Sequence, residues 1–501
     1  MKNYIIALDQ GTTSSRALLI DKTGAVRGVA QADFPQYFPK PGWVEHNPKE
    51  ILSSQLAVLT ELLVTQRVAL DEIDSIGITN QRETTIVWDR HTGEPVYNAL
   101  VWQCRRTTDL VERVCGNEEI AEEITRRTGL IPDAYYSASK IAWILNEVEG
   151  ARERAEAGDL LFGTVDTWLI WNLTQGAVHA TDPTNASRTM LFDITTGAWD
   201  SWLCGLFGIP MSMLPEIRPS SGYFGNLHHP VYQGEVPICG VAGDQQAALF
   251  GQGCLEEGQA KATFGTGCFL LMHTGAQAST STHGLVATRA ASLPGVSRPD
   301  YALEGSVFMA GALMQWLRDG LGLVSDVAQS NELAQSVFDT NGVYVVPAFT
   351  GLGAPYWDSE ARGAIYGLTR GANKCHLVRA CLEAQAYQVY DVLRAMIEDS
   401  AVSLSTLMVD GGACRNDFMM QFCADILQVD IIRPSVVEAT ALGATYLAGL
   451  SSGFWKDQHE IALLRSIDRR FHPLMDNNRR EILLQGWKEA IYRTKSQCPS
   501  V

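Results

Sequence analysis

The chain has 501 residues, 46% of them hydrophobic and 19% charged, with a formal net charge of −17. Its length carries a prior of about three domains, or two large ones, and its composition is that of a globular enzyme. The acidic balance argues against nucleic acid or an anionic membrane surface as the main partner, so an anionic nucleotide must be met by local features.

In chain order, Met1-Lys2-Asn3 passes at once into an apolar strand, Ile5 to Leu8, and no signal peptide is expected. Asp9 and a turn at Gly11 follow. Thr12, Thr13, Ser14 and Ser15 line the tip before Ala17 to Ile20 returns as the second strand of a hairpin. Ser75 to Thr79 reads as a short β-rich run closed by the polar turn Asn80 to Glu83, and Thr84 to Trp88 as a further strand. Ser137 to Glu149 has helical periodicity through Ile141, Ile144, Leu145 and Val148, with Ser137 or Ser139 available as its cap. Ile238 to Ala242 is a strand that runs through Gly243-Asp244-Gln245-Gln246 into the helical run Ala247 to Phe250.

A second beginning appears near residue 261. Ala262 to Met272 repeats the plan of strand, Gly265-Thr266-Gly267 tip and strand. Val343 to Pro347 and Leu407 to Gly412 are strands punctuated by glycine turns, and residues 376 to 398 are helical. This alternation is the mark of an α/β protein, and two halves opening on similar hairpins imply a duplicated architecture with a cleft between, divided near residue 250. No window of about 18 apolar residues exists to span a membrane. The 11 cysteines are scattered without a Cys-x-x-Cys pair, which fits reduced, mostly buried thiols in the cytoplasm and neither a disulfide framework nor a zinc site.

Several of these segments can carry chemistry. Short side chains at the two hairpin tips let backbone N–H groups approach a polyphosphate; Asp9 can hold a magnesium ion and Arg16 can offset charge, although each tip alone is equally a plain turn. Neither is a Walker A loop or a Rossmann fingerprint, which removes a dinucleotide-dependent dehydrogenase from consideration. Asp244 stands where a strand ends and a helix starts. There it serves either as a general base for an attacking alcohol or as the helix N-cap. Arg82 and Glu83 form either a solvated surface pair or a donor and acceptor bracketing vicinal hydroxyls. Trp102, Tyr135 and Phe269 can wall a small carbon skeleton, and aromatics are also ordinary core residues. Gly411-Gly412, beside Asn416, is a turn that also allows a flat ring to approach the backbone.

In this order and spacing, these parts resemble the FGGY family of carbohydrate kinases, within the actin-like superfamily, over the chain up to about residue 475. Tyr135-Tyr136-Ser137-Ala138-Ser139-Lys140-Ile141-Ala142-Trp143 is similar to one family signature. Gly363-Ala364-Ile365-Tyr366-Gly367-Leu368, continuing to Glu383, is similar to the other, with Cys381 as a small departure. The words Asn80-Gln81-Arg82-Glu83-Thr84-Thr85, Trp102-Gln103-Cys104-Arg105-Arg106, Gly243-Asp244-Gln245-Gln246 and Phe349 to Trp357 narrow the likeness to members acting on glycerol.

The resemblance implies an α/β fold of two actin-like (ribonuclease H-like) domains, residues 1–250 and 251–501, with the site in their cleft. It implies ATP-dependent phosphorylation of glycerol with Mg2+, in a homodimer or homotetramer. By the same analogy Arg82, Glu83, Tyr135, Asp244 and Gln245 surround glycerol, with Trp102 and Phe269 against its carbons and Asp244 as the base. Thr12, Thr13, Ser14, Arg16, Thr266 and Gly267 meet the phosphates. Gly311, Gln315, Gly412 and Asn416 line the nucleotide side, and Asp9 acts through magnesium and its waters.

Some bacterial members carry a Gly-rich loop with an Arg that binds fructose 1,6-bisphosphate; here that stretch reads Asn226-Leu227-His228-His229-Pro230-Val231-Tyr232-Gln233-Gly234-Glu235, and such control is not expected. Pro230 stands where other members have a phosphorylated His, with His228 and His229 out of register. Asn478-Arg479 replaces an acidic residue that some members use to bind a sugar-transport regulator. A kinase for another small polyol or ketose, and a non-catalytic sensor of glycerol or nucleotide, are the competing readings. Intact Asp9, Asp244 and hairpin tips argue against the sensor.

Overall fold

A computed structural model describes residues 2–496 except Gln233, Ser297 and Val437; Gln233, part of the loop read above, therefore lies outside the described residues. Two sheets organise the molecule. The first has six strands in the order Asn226–Leu227, Val236–Gly243, Ile73–Asn80, Tyr4–Gln10, Ser14–Asp21 and Val26–Asp33. The second has seven, in the order Val286–Arg289, Tyr301–Val307, Cys268–Gly275, Gln259–Phe264, Thr406–Asp410, Asp430–Pro434 and Ile467–Phe471. Each sheet opens on one of the Gly-Thr hairpins, and each first strand pairs in parallel with a later strand, Ile73–Asn80 or Thr406–Asp410. The duplicated plan inferred from the two hairpins is therefore present.

Alternation along these strands gives each sheet two different faces. In the first, Ile6, Leu8, Ala17, Leu19, Ile76 and Ile78 point to one side, where helix Pro48–Gln66 buries Ile51, Val58, Leu59 and Leu62 against them. That helix starts where it does because the Asn47 side chain accepts the Lys49 N–H and Pro48 needs no donor. Ile5, Ala7, Leu18 and Ile20 point to the other side. They are covered by helix Ala439–Ser452, which the chain supplies only after completing most of the second sheet.

Helix Ala439–Ser452 approaches so closely because the contact is made of residues without bulk. A Cβ on Gly77 would lie 2.3 Å from the Ala444 carbonyl oxygen, and one on Gly240 would lie 2.5 Å from the Ala448 nitrogen. On its next face the helix meets Asp244–Gly251, where a Cβ on Gly443 would come within 1.8 Å of the Ala247 carbonyl oxygen. Backbone cannot yield there as a flexible side chain can. Gly443→Ala should lower stability by about 3 kcal/mol or more through overpacking, read as a fall in the urea midpoint; an unchanged midpoint would show that the two helices can slide apart freely.

Helix Asp244–Gly251 is wedged between this partner and the second sheet, with Leu249 and Cys254 against Leu271, Ala302 and Met408. The opposite face of the second sheet packs beneath helices Lys374–Ser400 and Asp417–Leu427. Helix Ser137–Glu147 forms as its periodicity predicts, but neither serine caps it. Tyr136 occupies the cap position, and Ser137 turns its hydroxyl to the Glu83 carbonyl at 2.9 Å. Ser139 bonds to Thr107. Of the described cysteines, all are free, and every one except the half-buried Cys375 is buried.

Candidate active site

The first strand ends in Leu8-Asp9-Gln10, and alternation sends Asp9 and Gln10 to opposite faces. Asp9 pairs in register with Arg16, so the two share a face, and the Arg16 guanidinium reaches Asp9 at 3.6 Å and also bonds to Glu438 at the foot of helix Ala439–Ser452. Gln10 and Ser15 point the other way and bond to each other at 2.9 Å, so Ser15 is not part of the tip. Ser14 opens the second strand, leaving Gly11, Thr12 and Thr13 as the turn, closed by the Gly11 N–H to the Ser14 carbonyl at 3.0 Å. The Thr12 hydroxyl accepts from Trp102 Nε1 at 3.0 Å. Burial pushes the Asp9 carboxyl up to about 6; Arg16 pulls it down, and Asp244 and Glu438 push it up further.

Strand Ile73–Asn80 leads into the Gln81-Arg82-Glu83 turn, whose last residue has φ +60°, a left-handed conformation uncommon for a glutamate. The twist buries both charged side chains, so they are not the solvated pair that adjacency alone would favour. Arg82 grips Glu304 with two bonds, Nη1 to Oε2 at 2.6 Å and Nη2 to Oε1 at 2.8 Å, while its Nε lies 3.2 Å from Asp244 Oδ1. Gly243 is what lets Arg82 lie so close, since a Cβ there would meet the Arg82 side chain at 2.7 Å. Glu83 accepts from Arg188 Nε at 2.6 Å, and Arg188 lies 3.6 Å from Glu304.

Two arginines and two glutamates thus share one buried cluster. Burial alone would push Glu304 up, but Arg188 and Arg82 outweigh it and hold the carboxyl down at about 2. Glu83 is raised instead, because burial outweighs the pull of Arg188 and Arg82.

Asp244 is the first residue of its helix, and Gly243 occupies the N-cap position without a side-chain bond. The cap reading of Asp244 therefore gives way: its Oδ1 accepts the Gln245 N–H at 2.7 Å and faces Arg82, and a third of the side chain stays exposed to the cleft. Trp102 and Tyr135 make an edge-on pair at 5.5 Å. The segment carrying Tyr135 is tied down by Lys140, fully buried, whose ammonium donates to the carbonyls of Ala134, Tyr135 and Tyr136. Phe269 lies half-buried on the second sheet opposite Thr263 and Ser306; among the described residues no ring contact joins it to Trp102 or Tyr135.

The second hairpin leaves Gly265 and Thr266 exposed. Gly311 N–H bonds to the Gly265 carbonyl at 3.0 Å and Ala312 N–H to the Thr266 carbonyl at 3.0 Å, and a Cβ on Gly311 would lie 2.5 Å from that Gly265 oxygen. Gln315 is exposed four residues on. Gly411, at φ +87°, is pressed against Phe264, while a Cβ on Gly412 would meet nothing, so the space over Gly412 is open. Asn416 is less free than a ligand-facing amide: it caps helix Asp417–Leu427 through the Met419 N–H and donates to Ser330 at 3.1 Å.

Four residues of this site escape motif reading: Arg188, Lys261, Glu304 and Glu438. Lys261 and Glu304 share the face of the second sheet turned to helix Asp244–Gly251. Each is a lone charge inside an apolar strand, a pattern that points to a buried partner though not to which one.

Two sheets built on one plan, each presenting a Gly-Thr hairpin, with a carboxylate at a strand-to-helix junction between them, define a two-domain phosphotransferase of the actin-like class. The N-terminal domain of the FGGY family of carbohydrate kinases matches residues 4–251, and the C-terminal domain of that family matches residues 260–452. The chain belongs to the FGGY family of carbohydrate kinases.

Among its relatives are a glycerol kinase of Clostridium botulinum (strain Eklund 17B / Type B), 57% identical with 99% of both chains covered, and one of Haemophilus influenzae, 58% identical with 98% of both covered. Of solved structures, Plasmodium falciparum glycerol kinase with ADP is similar at a TM-score of 0.95 and 38% identity, covering 99% of both chains. Gluconate kinase from Lactobacillus acidophilus reaches a TM-score of 0.87 at 22% identity, covering 99% of this chain and 98% of that one, a likeness of fold alone.

Proposed function

We propose that the chain transfers the γ-phosphoryl group of ATP to a terminal hydroxyl of glycerol, giving sn-glycerol 3-phosphate and ADP. The observation that carries this reading is the buried Arg82–Glu83 turn set against the partly exposed Asp244 carboxylate, in a chain 57–58% identical to glycerol kinases over nearly its whole length. A guanidinium offers donors only and a carboxylate accepts, so the pair can hold two hydroxyls that each give and take a bond. Asp244 is free on its cleft side to accept the proton of the third hydroxyl as it attacks. Trp102, Tyr135 and Phe269 supply an apolar wall for the carbons, and Gln245 a further amide. A ketose needs more polar contacts and more room than these aromatics leave, which makes it the second reading.

The nucleotide is assigned to the opposite side. Thr12, Thr13, Ser14 and Arg16 from one hairpin and Thr266 and Gly267 from the other would meet the phosphates with hydroxyls and backbone N–H groups. Gly311, Gln315, Gly412 and Asn416 would line the base and ribose. The two domains are taken to divide near residue 250, between the sheets, with helix Ala439–Ser452 crossing back as a shared element.

Magnesium suits this site if held mainly by water and phosphate oxygen. Among the described residues no group of three or more His, Cys, Asp or Glu side chains stands ready to hold an ion directly. Asp9 is nonetheless half-buried, hard, and pressed by two other carboxylates, while Asp410 Oδ1 is buried without a hydrogen-bond partner. When bound, the ion would neutralise phosphate charge.

Holding the Asp9 carboxylate in a largely desolvated position beside Asp244 and Glu438 costs the fold stability, even with Arg16 near it. The unfolded Asp9 titrates near 3.8 and the folded one near 6, so the folded state favours the proton: no penalty exists below about pH 4, and it is complete above about pH 6. Asp9→Asn should therefore raise stability at pH 8 by about 3 kcal/mol and leave it unchanged at pH 3.5, while activity is lost. Thermal melts at the two pH values check this, and a variant less stable than wild type at pH 8 would contradict it.

The direct test of the function is ADP release with magnesium-ATP against a panel of glycerol, other small polyols and ketoses. Strong stimulation by glycerol is expected. Turnover on a ketose instead would overturn the pocket assignment and keep the reaction.

A further inference from the structure

Lys261 is fully buried on the second sheet, and its ammonium bonds to two oxygens: Gln245 Oε1 and, at 3.0 Å, Thr263 Oγ1. Strand alternation turns it, with Glu304 and Asp410, toward helix Asp244–Gly251; burial pulls its pKa below the ordinary lysine value, and the charges of Asp410, Glu304 and Asp244 oppose that pull and favour the ammonium. An ammonium has three donors and no acceptor, so whatever amide atom it holds must be the oxygen. The Gln245 carboxamide is thereby oriented. Its oxygen is committed inward to Lys261, and only its NH2 end is left for the cleft, where Gln245 is half-buried next to the Asp244 carboxylate.

We infer that Lys261 is a positioning residue that locks Gln245 with its NH2 toward the substrate, so that Gln245 donates to a substrate oxygen while Asp244 accepts from a substrate hydroxyl. The inference rests on the glycerol-phosphorylating reading above. It assigns polarity to the pocket: one side of the substrate must accept and the other must donate, which a freely flipping amide could not enforce. It also makes the pocket depend on the second domain, because the residue that orients Gln245 comes from the other sheet.

Gln245→Glu is the sharpest probe. It keeps an oxygen for Lys261, strengthening that contact, and replaces the donor by a second acceptor. The KM for glycerol should rise about 10-fold or more with kcat changed less than about threefold. An unchanged KM overturns the inference. Lys261→Met should raise KM by a similar factor, and combining it with Gln245→Ala should do no further harm than Gln245→Ala alone, within about twofold. Multiplying losses in the double variant would show that Lys261 acts by another route and would also overturn it. If Lys261→Met does not fold, Gln245→Glu decides alone. Wild type assayed beside the variants separates the two readings: glycerol turnover in wild type with indifferent variants sinks only the role of Lys261, and wild type inert to glycerol sinks the reading beneath it.

Discussion

Asp244→Asn should reduce kcat about 10²- to 10⁴-fold, the range typical of a lost general base, with the KM for glycerol moving less than about threefold. The asymmetry follows from what the substitution keeps. Asparagine retains the side-chain oxygen that accepts the Gln245 N–H, so the helix start is undisturbed. It also retains an oxygen facing Arg82 Nε, although without the charge. What disappears is the capacity to take a proton from the attacking hydroxyl. Much of the rate of phosphoryl transfer comes from alignment and charge neutralisation, so a residual rate well above background should survive. A variant with near-normal turnover would remove Asp244 from the role of base. A variant whose loss lies wholly in KM would make it a binding residue.

Arg82→Leu should damage both binding and folding. Loss of a charge-assisted donor, worth about 1.5–3 kcal/mol, should raise the KM for glycerol about 10- to 100-fold. Glu304 would then keep Arg188, at 3.6 Å, and the charge of Lys261 as its remaining cations. Breaking one side of a buried ionic cluster costs about 3–5 kcal/mol, because the remaining charge is stranded. The melting temperature should fall accordingly. Arg82→Lys should fail nearly as badly, since one ammonium cannot reproduce a fork that spans both Glu304 oxygens while facing Asp244. Steady-state kinetics and thermal melts separate the two effects, and a Lys variant behaving as wild type would show that the fork is dispensable.

Legibility in the sequence divides along a physical line. Hairpins, strand-to-helix junctions and glycine turns are local, and period-two patterning with turn chemistry finds them: both Gly-Thr hairpins and the Asp244 junction lie where the residues imply. Bounds differ by a few residues, as with Ile73–Asn80 against a run read as Ser75 to Thr79. Partnerships across the cleft are not local. Glu304 meets Arg82 across 222 positions of chain and Arg16 meets Glu438 across 422, and no spacing rule reaches so far. The Arg82–Glu83 pair is instructive because its sequence looks like surface. Its burial depends on a left-handed backbone at Glu83 and on the two countercharges that arrive from Arg188 and Glu304. Helix caps mislead for a related reason: a serine at a helix start has alternatives, and Ser137 spends its hydroxyl on fixing the Glu83 carbonyl instead.

The return of helix Ala439–Ser452 onto the first sheet has a consequence for how the chain is made. The N-terminal half leaves the ribosome with Ile5, Ala7, Leu18 and Ile20 lacking their cover, and that cover is translated roughly 190 residues later. At about 5–20 residues per second, the apolar face waits on the order of 10–40 s in a crowded cell. A nascent chain in that interval presents the kind of greasy, unfinished surface that chaperones hold. Truncated transcripts ending before residue 439 should therefore yield aggregates instead of a soluble half-protein.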